Sequence, residues 1–377
     1  MNVFSYFVLI FSVLSLTACV SCFVQELTNN ISNTQWIPKK RVLWLSKNPD
    51  IPGNIDNPPS DEMAIGEEYA LRFSGVGKLY TDKEKTSIEA VDDADRPPPH
   101  HEVLRRLSAS TVAVVGIGGV GSWASEALAR SGVGSIVLVD MDDICISNTN
   151  RQLHATSASV GKLKTEEMSR RISQIHPGCE VSTIFDFVAA ANVDGILDDL
   201  REKRGVDVVI DAIDGAWEKT ALVAGCVRRG IPVVTCGGAA GRKDPSKIVC
   251  EDLTRAREDR LLFRVRKTLR AKYRFPKGPG KGAKNYHNPR RWKIFAVFSD
   301  EVVGNGGGLE EASASFRQCD GTLGTASFVT GTYGFMAAGK AVEMITTGKM
   351  IVPKKVRMPL LELKEKSHQN ATAQSIF

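Results

Sequence analysis

The run Gly116-Ile117-Gly118-Gly119-Val120-Gly121-Ser122 follows directly on an apolar stretch and opens a helical pattern. Glycines placed so let the chain turn tightly and bring backbone N–H groups against phosphate oxygens at a helix N-terminus. Asp140 closes the next apolar stretch about twenty residues on, where a carboxylate can accept hydrogen bonds from ribose hydroxyls. Together they point to an adenosine nucleotide; a tight glycine turn that binds nothing is the bland alternative.

Polar residues beyond Asp140 separate one nucleotide from another. Ser147-Asn148-Thr149-Asn150-Arg151-Gln152 puts a guanidinium and three amides in one loop, and Lys164 follows on the next helical pattern. Arg offers a fixed fork to phosphate oxygens and Lys a movable point charge, so the pair suits a polyphosphate whose charge shifts during reaction. A nicotinamide-dependent oxidoreductase needs no such cluster, which moves the reading from NAD to ATP. Capping by Asn148 and a plain surface role for Lys164 are the competing structural readings. Farther on, Asp211-Ala212-Ile213-Asp214 places carboxylates at the end of a fourth apolar run. Asp214 is the choice for Mg2+, an ion that keeps water and phosphate oxygens among its ligands. Asp211 reads instead as a cap or a buried structural acid.

These side chains need a scaffold, and the apolar patterning supplies one. Strands are predicted at Thr111 to Val115, Ser135 to Val139, Glu180 to Phe185, Val206 to Asp211 and Pro232 to Cys236. Helices are predicted from Val120 to Ser131, Lys162 to Ile175 and Trp217 to Arg229. The alternation predicts an α/β fold, a Rossmann-like doubly wound and mostly parallel sheet with a C-terminal antiparallel extension. Its nucleotide-binding core is expected over residues 108–240, inside a domain spanning 66–349.

Hydrophobic residues make up 42% of the 377 and charged residues 24%, which excludes global disorder and a polytopic membrane protein. The charge is uneven. Arg255 to Lys293 holds fifteen Lys and Arg against only Glu258 and Asp259, so this basic insertion (255–293) outweighs a chain that is otherwise net acidic. Such a patch meets phosphates, or is a solvated helix face. A helix predicted from Arg257 to Arg274 sets Leu262, Val265, Leu269 and Tyr273 on one side and Arg260, Arg264, Lys267 and Arg274 elsewhere. Tyr286, His287 and Trp292 interleave with Lys284, Arg290 and Arg291 as candidate stacking surfaces for RNA.

At the start of the chain, Val3 to Phe23 is uncharged and mostly apolar, about the length that spans a bilayer. Residues 1–24 are read as a signal peptide or an uncleaved anchor with membrane contact, 25–65 as a linker and 350–377 as a tail. Leu16-Thr17-Ala18-Cys19 resembles a bacterial lipobox without its basic leader. Phe23 after a cleavage point resembles the opening of a bipartite plastid presequence. The sole C-x-x-C pair among eight cysteines, Cys19 and Cys22, falls in this segment, so no zinc is expected, and the main domain is expected in a reducing compartment.

Taken jointly, G-I-G-G-V-G-S, D-M-D-D, N-T-N-R-Q, G-K-L-K and D-A-I-D resemble the ThiF and MoeB adenylating superfamily, relatives of ubiquitin-activating enzymes. The resemblance implies that Gly116, Gly118, Gly119 and Gly121 line phosphates, Asp140 holds ribose, Asn148, Arg151 and Lys164 contact phosphates, and Asp214 takes the magnesium. Sulfur-carrier members carry two C-x-x-C zinc pairs that are missing here. The branch without them, the tRNA threonylcarbamoyladenosine dehydratases, is resembled through Arg72-Phe73-Ser74-Gly75, Gly121-Ser122-Trp123 and Thr235-Cys236-Gly237-Gly238-Ala239.

That branch implies ATP-dependent cyclisation of threonylcarbamoyladenosine in tRNA through an acyl-adenylate. It also implies a homodimer in which Arg72 serves the partner's ATP, its alternative being an ordinary surface Arg. Cys319 matches a cysteine that recurs there, as a nucleophile or as a small buried hydrophobe. A sulfur-relay protein is a further candidate partner. The rival reading is adenylation of the C-terminus of a small sulfur-carrier or ubiquitin-like protein.

Overall fold

Valine, isoleucine and leucine fill both alternating sets of positions in the central strands, so each strand needs cover on two faces. In the computed structural model, which describes residues 65–81, 99–278, 284, 289–302 and 323–352, these runs become the strands of one sheet. They are β1 (Thr111–Val115), β2 (Ser135–Val139), β3 (Glu180–Ile184), β4 (Val208–Asp211), β5 (Val233–Cys236), β6 (Ile248–Asp252) and β7 (Phe295–Ser299). Their order is β3-β2-β1-β4-β5-β7-β6. All neighbours run parallel except β6, which pairs antiparallel with β7. That pair is the expected antiparallel extension.

The helices are α1 (Glu67–Leu79), α2 (Pro99–Ser108), α3 (Gly121–Arg130), α4 (Lys164–Ile175), α5 (Val193–Asp198), α6 (Ala216–Arg229), α7 (Arg260–Lys272) and α8 (Ser327–Thr346). Side chains of β1 alternate between two cores, as a strand's period of two requires. Val112 and Val114 join Ile136, Leu138 and Ile210 beneath α2, α3, α4 and α8. Ala113 and Val115 join Val137, Val139 and Val209 beneath α5, α6 and α7. Burying one such Val, Leu or Ile side chain stabilises the fold by roughly 1.5–3 kcal/mol. Helix α8 crosses α3 closely because Gly334 has no Cβ: one built there would lie 2.6 Å from the Val120 carbonyl oxygen.

The winding reverses between β1 and β4. From β1 the chain moves outward through β2 to β3, then returns to lay β4 on the other side of β1. A crevice therefore opens outside the carboxyl ends of β1 and β4, where doubly wound sheets bind ligands.

The basic helix is shorter than its pattern predicts. Glu258 adopts φ 51° and breaks any helical run from Arg257, while the Asp259 carboxylate accepts the Leu262 N–H at 2.8 Å and caps the start. Arg274, at φ 58°, marks the far end. Among the described residues no helix is long and apolar enough to cross a membrane. Val3 to Phe23, Tyr286, His287 and Cys319 lie outside the described residues.

Candidate active site

Gly116 leaves β1 at φ +88°, and a Cβ there would meet the Ala212 carbonyl group at 3.0 Å. Only glycine fits a left-handed position pressed against the end of β4. Gly121 is tighter still, since its Cβ would sit 1.8 Å from the Gly116 oxygen. These two glycines build the turn. The middle pair does something different: a Cβ on Gly118 would meet nothing nearer than Gln152 Nε2 at 3.9 Å, and one on Gly119 would meet Thr330 at 3.2 Å and Arg151 Cγ at 3.6 Å. Gly118 thus leaves backbone open to the crevice, beneath the loop that carries Arg151 and Gln152.

Asp140 follows β2 directly and reaches under the same turn. One carboxylate oxygen accepts the Ile117 N–H at 2.7 Å and the other accepts the Asp142 N–H at 2.8 Å. Burial pushes its pKa up, against the pull of nearby Lys164. Asp140 therefore fixes the glycine turn, and each oxygen keeps a second lone pair for a ligand hydroxyl.

The loop after β2 is tied down at several points. The Arg151 carbonyl accepts hydrogen bonds from Trp123 Nε1 at 3.0 Å and Thr330 Oγ1 at 3.1 Å. The Asn150 amide donates to the Thr325 carbonyl at 3.0 Å, and Ser122 Oγ accepts the Leu153 N–H at 3.2 Å. The Arg151 guanidinium itself donates to the Ser147 carbonyl and to Asn150 Oδ1. Among the described residues no carboxylate pairs with it. Asn148 is buried, and its Oδ1 accepts the Cys145 N–H at 3.0 Å, which closes the loop's 3-10 turn. Its Nδ2 group remains to donate to a ligand, but Asn148 is in the first place the capping residue of its loop.

Lys164 is the first residue of α4. Its stem is buried and its Nζ lies 2.6 Å from Asp142 Oδ2. Asp142 is the neighbour that bonds Asp140, so a continuous path runs from the glycine turn through Asp140 and Asp142 to Lys164. Composition and spacing gave no sign of His154, whose Nε2 donates to the Ile117 carbonyl at 2.9 Å. Burial pushes its pKa down to about 4, so the imidazole is neutral near pH 7. Gln152 Oε1 and His154 Nδ1 are buried without a hydrogen-bond partner among the described residues. Two unsatisfied acceptors under a glycine turn mark a place where polar groups of a ligand or water are needed.

Across the crevice, Asp211 and Lys219 are both fully buried and paired at 2.9 Å, and Thr235 Oγ1 donates to Asp211 Oδ2 at 2.6 Å. Asp211 is a structural acid that anchors the start of α6 to β4 and β5. Asp214, three residues beyond it, is exposed at the crevice edge. Among the described residues no group of three or more His, Cys, Asp or Glu gathers as a metal-binding set. The residues present fit only an ion that takes most of its ligands from phosphates and water, with one carboxylate from the chain.

Arg72 is not brought to this crevice. It pairs with Glu68 on α1 at 2.6 Å and reaches the Ile175 carbonyl at the end of α4. That is the amino edge of the sheet, opposite Asp214. On the basic helix, Leu262, Val265, Leu269 and Tyr273 are buried, and Arg260, Arg264, Lys267 and Arg274 are exposed, as their spacing requires. Trp292 corrects the expectation of a stacking surface. It is buried with Phe275 at 4.8 Å, under the Arg270 guanidinium, because its indole fills the gap between α7 and β7.

Residues 94–374 match the ThiF family. The tRNA threonylcarbamoyladenosine dehydratase of Haemophilus influenzae is 40% identical over 288 residues, covering 76% of this chain and 98% of that protein. Among solved structures, Escherichia coli tRNA N6-threonylcarbamoyladenosine dehydratase, TcdA, in complex with ATP aligns with a TM-score of 0.60 and 36% identity. That alignment covers 76% of this chain and 98% of the other. The same protein in complex with AMP aligns with a TM-score of 0.60 and 35% identity, covering 76% and 99%.

Proposed function

The chain belongs to the ThiF family, and from that premise we propose that it is an ATP-dependent tRNA threonylcarbamoyladenosine dehydratase. The observation that carries the reading is the crevice itself. Open backbone at Gly118, the guanidinium of Arg151, and the path from Asp140 to Lys164 converge where β1 and β4 part. Relatives matched along nearly their whole length bear that activity in their names, and one of them holds ATP.

Threonylcarbamoyladenosine carries a free threonine carboxylate, and a carboxylate oxygen is a poor leaving group. The carboxylate attacks the α-phosphorus of ATP and pyrophosphate leaves. The ureido nitrogen then attacks the activated carbonyl, loses its proton and closes the hydantoin ring, while AMP departs with one carboxylate oxygen. Water is thereby removed from the nucleoside.

The chain's part is placement and charge. Backbone N–H groups of the turn, Arg151 and Lys164 face the negative charge that develops on the phosphates. Asp140 holds the turn and the ribose. Neutral His154 supports Ile117. Asp214 would hold Mg2+, which when bound draws charge from the phosphate oxygens.

Because Arg72 lies at the far edge of its own sheet, it serves ATP only in the site of a second copy, which makes the active species a homodimer. The outward residues of α7 dock the tRNA. Digesting modified tRNA after incubation with ATP and the full chain tests the reading: the nucleoside becomes lighter by one water, and an unchanged nucleoside rejects it. Mixing inactive Arg72→Ala and Asp214→Ala proteins restores turnover if Arg72 acts across a dimer. No recovery rejects that role.

A further inference from the structure

Trp217 stands in the first turn of α6, three residues after Asp214, and its side chain is 60% exposed. Its backbone is fixed, since Lys219 two residues on is buried in the pair with Asp211. A large indole held rigidly at the rim of a polar crevice is costly to leave in water. Lys272 sets its Nζ 4.2 Å from the centre of the ring. Lys272 belongs to α7, so the ring is the point at which the basic helix meets the crevice edge.

Charge decides the class of molecule that fits there. Among the described residues Arg260, Arg264, Lys267 and Lys272 have no carboxylate within ion-pair distance, and all four are exposed. Unpaired cations on the outward face of this helix, with Lys272 on its flank against the indole, make the kind of surface that single-stranded nucleic acid uses: phosphates follow the charges and a base stacks on the ring. The ring is on the wrong side to serve the ATP adenosine. Ribose is placed at Asp140, beyond β2, whereas Trp217 follows β4 across the switch point.

We infer that Trp217, with Lys272, is a stacking post for the base next to the modified adenosine in an RNA loop. The inference rests on the dehydratase reading and gives its substrate a footing. For the threonine carboxylate to reach the crevice, the modified nucleotide must leave its stack, and its neighbour then loses a stacking partner. The indole supplies a replacement at the crevice rim, and the Lys272 ammonium meets the adjoining phosphate.

The test uses the full chain, with Trp217→Ala and Trp217→Phe beside it. The probes are an RNA hairpin with an open loop bearing threonylcarbamoyladenosine and a blunt RNA duplex of equal length. Loss of one base stack weakens hairpin binding by about tenfold or more in Trp217→Ala, and the phenyl ring of Trp217→Phe restores most of it. Duplex binding and ATP affinity stay at the wild-type level in both variants. Equal hairpin binding by Trp217→Ala and wild type overturns the inference, and so does an equal loss on hairpin and duplex. If hairpin binding depends on Trp217 but the nucleoside is never cyclised, the stacking post stands and the dehydratase reading falls. If cyclisation proceeds with the same KM in Trp217→Ala, the reverse holds.

Discussion

Lys164 Nζ lies 2.6 Å from Asp142 Oδ2, while the backbone N–H of Asp142 is held by Asp140. The lysine proposed to face the phosphates is thus parked on a carboxylate that is 47% exposed. Water screens that pair, so Lys164 can exchange it for phosphate oxygens at small cost.

Removing the ammonium in Lys164→Met, which keeps the buried stem, should therefore cost catalysis far more than stability. The expected loss in adenylation rate is about 100- to 1000-fold, with unfolding free energy within about 1 kcal/mol of wild type. Pyrophosphate release and urea denaturation measure the two. A variant that unfolds easily yet keeps its rate would show Lys164 to be a structural residue.

The glycines of the turn should separate in the same way. Gly121→Ala forces a Cβ to 1.8 Å from a carbonyl oxygen and should not yield folded protein. Gly118→Ala has 3.9 Å of clearance, so it should melt with the wild type and bind ATP at least about tenfold more weakly, because the methyl group fills space a phosphate needs. Tight ATP binding by Gly118→Ala would move the phosphates elsewhere.

Lys219→Met strands the carboxylate of Asp211 in a fully buried place. Breaking one side of a buried pair costs about 3–5 kcal/mol. Chemical denaturation at pH 7 should show that loss, and a change below about 1 kcal/mol would mean that the pair is not as dry as its burial indicates.

His154 links stability to pH. Its pKa is about 4 in the fold against 6.5 for the ordinary side chain, so the unfolded chain takes the proton first. The stabilisation is complete above pH 6.5 and is lost as pH falls toward 4, amounting to roughly 2–3 kcal/mol. His154→Gln keeps a donor for the Ile117 carbonyl and cannot titrate, so its stability should fall less than that of wild type between pH 7 and pH 4.5. Parallel curves would contradict the assignment.

Much of this site was legible from residue types. Gly116 to Gly121, Asp140, Lys164 and Asp214 sit at ends of strands and starts of helices, and Arg151 in the polar loop after β2, where local pattern governs. The paired acid and lysine at Asp211 and Lys219 were only half legible, since nothing local shows that Lys219 points inward. Thr330 and His154 reach the turn through tertiary packing and leave no mark in spacing. Helix α8 is illegible for another reason: Gly331, Gly334 and Gly339 lower its intrinsic propensity, and its exposed positions include Phe328, Phe335 and Gly339, so little polar stripe marks its outer face. Trp292 misled because an aromatic among cations reads alike whether it faces RNA or fills a core.

The most direct measurement follows one atom. With heavy oxygen placed in the threonine carboxylate of modified tRNA, an acyl-adenylate route delivers one labelled oxygen to the phosphate of AMP for each ring closed, and Asp214→Ala forms both products far more slowly. AMP free of label, or an Asp214→Ala protein at full rate, would contradict the central claim that this crevice places AMP on a nucleoside acid.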